Sequence, residues 1–138
     1  MARKLNAQAI ASITRRMRAV PEEMKRAAEA EIMRVAENMA ADMRRDVPVD
    51  DGDLLDTIKV VRLADEGGQI AVRVQAGGER TTRRIGGRAG YDYAVGVEFG
   101  TQGTPARPFF WPNYRRHRRR IRASLSRAIR KAAIDLDG

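Results

Sequence analysis

Few side chains in this 138-residue chain are of types that carry reactions, and their spacing argues against one. The lone histidine, His117, lies inside a run of arginines. That placement points to a solvent-exposed ring and leaves no histidine-activated nucleophile or multi-histidine metal site. The chain has no cysteine, which removes disulfides, thiol catalysis and zinc–thiolate sites together. Ser12, Ser124 and Ser126 fall on predicted helices without a base at useful spacing. Asp92 and Glu98 could form a carboxylate pair, but nothing in the sequence positions a substrate between them. Asp50, Asp51, Asp53 and Asp56 cluster without the order of a calcium loop, and helix capping accounts for them more simply. The glycine-rich stretch 77–90 lacks the Gly-Lys-Ser/Thr ending of a phosphate loop. The expectation is a protein that is not an enzyme and needs no cofactor or metal.

Charge is the stronger signal. Residues 1–65 carry 12 basic and 12 acidic side chains, whereas residues 66–138 carry 15 basic and 6 acidic and so hold the whole surplus of +9. Such a balance suits a polyanion or an acidic partner, since Lys and Arg release counterions from phosphates. It also suits solvated arginine in an Arg-, Ala- and Gly-rich composition, with 23 Arg against 4 Lys. Hydrophobic residues make up 43% of the chain, enough for one modest core and too many for a disordered basic tail. No run of apolar residues reaches membrane-spanning length, and the N-terminus lacks the apolar core of a signal peptide.

The elements that must position these residues can be read from periodicity. Ile10, Ile13, Met17 and Val20 have helical spacing, so residues 1–20 read as a short helix or as an arm that orders against a partner. Met24, Ala28, Ile32, Val35, Met39 and Met43 form one apolar stripe on a long helix from Pro21 to Arg45, a rod of roughly 37 Å. Val47-Pro48 stops that helix, and one of the following aspartates caps a short helix over Leu54–Ile58. Residues 58–63 and 69–75 are β-branched, the second alternating, and read as an antiparallel hairpin joined by a turn at 65–68. Residues 77–90 hold five Gly and four Arg and read as a flexible loop. Residues 91–101 suit a strand or a turn of helix ending at Gly100. The segment 105–112 concentrates three of the seven aromatics and three of the five prolines, with docking into the core expected. Asn113 is a reasonable N-cap for a last helix to Leu136, whose first half is crowded with arginine. The predicted fold is a single α+β domain over 1–138: a long N-terminal helix on a small antiparallel sheet, with an Arg-rich C-terminal helix.

Three segments share a resemblance. Val47-Pro48-Val49-Asp50-Asp51-Gly52-Asp53-Leu54 resembles the "PVDTGxL" motif of small tailed-phage proteins. Tyr93-Ala94-Val95-Gly96-Val97-Glu98-Phe99-Gly100-Thr101 resembles "YAxxVEFGT". Pro105-Ala106-Arg107-Pro108-Phe109-Phe110-Trp111-Pro112 resembles "PARPFLxPA". Order, spacing and the preceding long helix all match the gene-ten-like tail-component family of lambda-like siphophages, also called tail completion or head–tail joining proteins. Asp51 stands where Thr is usual, which preserves capping, and Trp111 where a smaller residue is commoner.

The resemblance implies a structural virion protein forming a ring, commonly hexameric, at the head–tail junction or head-proximal tail end. Such a ring completes or terminates the tail and leaves a channel for DNA. Its partners would be other copies, connector or stopper proteins and tail-tube proteins, with DNA passing transiently and no membrane or small-molecule substrate. It would assemble in the host cytoplasm and reside in the virion, of a phage or of a gene transfer agent. Candidate contacts between subunits or rings are Glu98, Phe99, Thr101, Arg107, Phe109, Arg83, Arg84, Arg88, Arg115, Arg116, Arg119 and Arg120. The alternative is a basic DNA-binding module that contacts phosphates through the Arg-rich loop and the last helix.

Overall fold

A computed structural model describes residues 8–16, 21–63, 69–84 and 90–137. The elements run β1 (Gln8–Arg16), α1 (Glu22–Asp46), α2 (Asp53–Thr57), β2 (Lys59–Arg62), β3 (Gln69–Gly77), β4 (Thr82–Arg83), β5 (Tyr91–Asp92), α3 (Tyr93–Phe99) and α4 (Trp111–Asp137). They build the expected α+β fold. One antiparallel sheet has the order β1-β3-β2, and β4 and β5 form a second, two-stranded one.

The long helix forms where its periodicity places it. Pro21 precedes the first turn, Glu22 and Glu23 lie at its positive end, and Arg44 and Arg45 at its negative end. Its buried side chains are Ala28, Ile32, Val35, Ala36, Met39, Ala40 and Met43. The alanines matter as much as the methionines, because they let neighbouring backbones approach. Val47, in extended conformation before Pro48, ends the helix while its N–H still reaches Met43 O. One flank of α1 covers Ile70, Val72, Val74 and Ala76 of β3 within the core. Each fully buried Ile, Val or Met here contributes about 1.5–3 kcal/mol. Arg44 donates to Ile58 O, just ahead of β2, at 2.8 Å, and Arg62 at the end of β2 pairs with Glu29 at 2.9 Å, tying α1 to both ends of this segment.

The hairpin pairs Val60 with Val74 and Arg62 with Val72, and Leu63 N–H closes on Ala71 O. Its turn, 65–68, lies outside the described residues. The N-terminal segment departs from expectation. Residues 8–16 are a strand rather than a helix or an arm ordered by a partner, pairing along the whole of β3 from Gln8 with Gly77 to Arg16 with Gln69. β2 covers only four positions of β3 on its other edge. Without β1, one edge of β3 would be left unpaired along nine residues, and a segment holding Ile10, Ile13 and Thr14 can extend to satisfy it.

The 77–90 stretch is also less loose than its composition suggests. A turn of 3₁₀ helix at Glu79–Thr81 and the β4–β5 ladder, Thr82 with Asp92 and Arg83 with Tyr91, occupy its start and clamp its ends. Residues 85–89 lie outside the described part.

α4 packs along the other flank of α1, through Leu125 with Tyr114, Ile121 and Ile129 around the core. Polar contacts set its register. His117 is not solvent-exposed: its Nε2 donates to Asp42 Oδ2 at 2.7 Å, and its side chain is 19% exposed. Asp42 also accepts from Arg116 at 2.9 Å and from Arg45 at 2.7 Å. Eleven residues toward the start of α1, Glu31 accepts from the Ser124 hydroxyl and from Arg34. The hydrogen bond from His117, reinforced by Arg116 and Arg45, holds the Asp42 carboxyl below the usual range despite its partial burial. Arg34 foremost, with Ser124, does the same for Glu31.

A carboxyl with a lower pKa folded than unfolded stabilises fully above its ordinary value, about 3.9–4.3. That contribution is lost as pH falls through the folded-state value. Urea unfolding of the wild type should therefore weaken steeply below about pH 4, and Asp42→Asn should flatten that acid limb. At neutral pH the same substitution should cost about 1–2 kcal/mol.

Candidate functional site

α3 is short, and its position is set by two buried carboxylates. Asp92, at its N-cap, accepts from Ala94 N–H at 2.9 Å and from Thr81 Oγ1 at 2.5 Å through one oxygen. Its other oxygen accepts from Gly78 N–H at 2.8 Å. One side chain thereby ties the end of β3 and the 3₁₀ turn to the start of α3. An aspartate two residues ahead of a helical N–H is a capping signal that the sequence does carry.

Glu98, in the last turn of α3, has a longer reach. Its Oε1 accepts from the backbone N–H of Phe109 and of Phe110, both at 2.9 Å, and its Oε2 from Trp111 N–H at 3.1 Å. These are N–H groups at the start of α4, where a helix has no partners of its own and a positive dipole end. Glu98, not Asn113, therefore caps the last helix. Asn113 lies inside α4 at 1% exposure, donating to Phe109 O at 2.7 Å and to Asp46 at 2.9 Å. Asp92 and Glu98 do not form a catalytic pair: each is engaged with chain partners of its own.

With Glu98 holding that junction, Phe109 and Phe110 are buried, and Phe110, Trp111 and Tyr114 continue as a chain of edge-to-face rings with centroids 4.9 and 5.5 Å apart. Between the two anchored ends the chain doubles back. Gly100 adopts φ +81°, and a Cβ there would lie 2.9 Å from Ala106 N, so this turn admits only glycine. Thr101 bridges Thr104, and Arg107 N–H bonds Val97 O at 2.8 Å.

The result is an open pocket of about 220 Å³ where the three motif segments meet. Pro48 and Asp50 come from the first, Tyr93, Gly96, Val97 and Thr101 from the second, and Pro105 and Arg107 from the third. Tyr91 and Thr104 complete it. A Cβ on Gly96 would lie 2.4 Å from the Tyr91 hydroxyl and 2.9 Å from Thr101 Cγ2, so both side chains would have to shift. Tyr91 in the lining and Val49 and Phe99 beside it are large apolar side chains left 45–58% exposed.

No curated protein and no solved structure gives a significant match to the chain. A family model does match, over residues 11–100, described as "Bacteriophage HK97-gp10, putative tail-component". The chain belongs to this HK97-gp10-like family of phage tail components. The matched span holds α1, most of the sheet, the first motif and the second as far as Gly100; the third motif and α4 lie beyond it. Membership makes the protein a virion-associated tail component that works among other phage structural proteins.

Within this family frame, the twelve expected contact residues divide into distinct groups. Phe99, Thr101 and Arg107 are exposed around the pocket, whereas Glu98 and Phe109 are buried and shape it from within. Arg83 is paired inside the chain: it bonds Asp53 at 2.9 Å and Asp51 at 3.2 Å and lies over the Tyr93 ring at 5.0 Å. Arg80 bonds Asp56 at 3.1 Å, so arginines take up the acids of the turn. The N-cap of α2 is Gly52 rather than an aspartate; Asp51, one residue before it, accepts from Asp53 N–H at 2.9 Å. Arg84 is exposed, and Arg88 lies outside the described residues. Arg115, Arg119 and Arg120 are exposed on α4, while Arg116 bonds Asp42 and Asn113. Asp92, Tyr91 and the Asp42–His117 pair were not among the expected residues. Only Asp92 carried a local signal.

Removing the cap tests this architecture. Glu98→Ala leaves three N–H groups at a buried helix start without an acceptor and should destabilise by about 2–4 kcal/mol in urea titration. Glu98→Gln keeps one carbonyl oxygen and should cost less than half as much.

Proposed function

We propose that the protein forms a ring, commonly of six copies, at the head–tail junction or the head-proximal end of the tail. There it completes the tail, joins it to the head and leaves a channel for DNA. The ring assembles in the host cytoplasm, with connector or stopper proteins and tail-tube proteins as its neighbours. One observation carries this reading: three segments spread from residue 47 to residue 112 converge on one open pocket flanked by exposed apolar side chains. A contact surface accounts for that convergence.

A ring needs a head-to-tail interface, in which one patch meets a different patch on the next copy. The rim formed by Val49, Tyr91, Phe99, Thr101 and Arg107 supplies one such patch, with an aromatic and an arginine of the kinds that dominate interface energies. Glu98 and Phe109 support it from below without touching the neighbour.

The test is mass photometry and negative-stain microscopy of the protein alone and mixed with its tail-tube and connector proteins. Rings are the expected result. Phe99→Asp and Arg107→Glu should leave the thermal unfolding temperature near that of the wild type and raise the concentration for half-assembly by about tenfold or more. Gly96→Ala should act in the same direction by displacing Tyr91 and Thr101. A strict monomer under every mixture would overturn the proposal.

A further inference from the structure

The outer face of α4 carries a charge that the fold does not use. Residues 99–134 contain ten Arg or Lys and no acid. Among the described residues, the α4 arginine that pairs with a carboxylate is Arg116, with Asp42, which also accepts from His117. Arg115, Arg118, Arg119, Arg120, Arg122, Arg127, Arg130 and Lys131 are exposed and make no ion pair within the described part. Several stand three or four residues apart, as Arg115 with Arg118 and Arg119 or Arg118 with Arg122, so the helix accumulates like-charge repulsion along its length.

Three features identify what would relieve it. First, the arginines between 115 and 122 span about 200° of the helix circumference at 100° per residue. A flat acidic protein face touches a much narrower arc, whereas a groove with phosphates on both walls touches both flanks. Second, the face has no apolar anchor of the kind protein interfaces rely on: Ala123 and Ser126 lie among the arginines, and the exposed Ile134 and Leu136 come only near the helix end. Third, two arginines of the other concentration, Arg80 and Arg83, are already paired with Asp51, Asp53 and Asp56.

We propose that the exposed arginine face of α4 binds the phosphate backbone of duplex DNA without sequence preference, and that the loop arginines Arg80 and Arg83 do not take part. B-form DNA has a major groove wide enough to admit a helix. The narrow, deep groove of duplex RNA does not admit one. The assignment does not depend on ring formation; in a ring it would turn α4 toward the channel.

Binding of the full chain to a fluorescent duplex of about 30 base pairs, followed by anisotropy from about 50 to 200 mM salt, tests the proposal. The wild type should lose affinity log-linearly with salt, with a slope of about −4 to −5 for four to six phosphates contacted. Arg115→Gln, Arg119→Gln and Arg122→Gln combined should reduce the magnitude of that slope by about 3 and weaken binding at least tenfold. Arg80→Gln with Arg83→Gln removes charge of the same sign elsewhere and should leave the slope unchanged. All these side chains are exposed, and circular dichroism checks that each variant is folded. Three results would overturn the proposal: a flat salt response, equal loss in both variants, or displacement of the duplex by polyglutamate as readily as by unlabelled DNA. Since assembly is scored separately, a ring without DNA binding sinks only this inference, and DNA binding by a strict monomer sinks only the ring.

Discussion

The Glu98 carboxylate holds three successive backbone N–H groups at the start of α4, and it does so from the last turn of a different helix. A carboxylate at the C-terminal end of α3 opposes that helix's own dipole. It is stable there because the positive end of α4 lies within reach. The N–H groups of Phe109 and Phe110 belong to fully buried residues, where no water could replace the carboxylate. This one interaction therefore decides where α4 begins and how the chain between Gly100 and Pro108 folds back. It also decides that the two phenylalanine rings enter the core. The pocket at the motif junction and the placement of the arginine face both follow from it.

The two long helices show the same division between support and surface. α1 is covered on one flank by the sheet and on another by α4. The polar groups between the helices, Asp42 with His117 and Glu31 with Ser124, are matched donor to acceptor. That seam engages Asp42 and Glu31 of α1 on the inner side of α4 and leaves the outer arginines unbalanced. A helix so charged along one side is held by packing and by the Glu98 cap rather than by its own propensity. The β4–β5 ladder and the Arg80 and Arg83 ion pairs perform a parallel task at the other end, fixing both stems of the Gly- and Arg-rich segment.

Much of this was legible in the residues. The long helix followed from apolar spacing, its end from Val47-Pro48, the hairpin from alternation, and the burial of Phe109 and Phe110 from their aromatic character. The family followed from three short motifs. The misreadings share one cause. Residues 8–16 have helical spacing over a few positions, yet their partner is a strand some 60 residues away. Local periodicity cannot report a free sheet edge. Asn113 has the type of an N-cap, but the true cap comes from another helix. His117 sits among arginines in sequence, but one helical face turns it onto Asp42.

By itself, then, the sequence determined what depends on neighbours along the chain: helix length and stops, strand alternation, the charge asymmetry between the halves, and motif identity. Only the tertiary structure decided which charges cancel and which remain. The acids at 51, 53 and 56 meet the arginines at 80 and 83 across the fold, while those of α4 face outward. The physical reason is distance. An ion pair or a cap forms within about 3 Å in space, and such proximity between residues far apart along the chain is created by folding and is not written in local order.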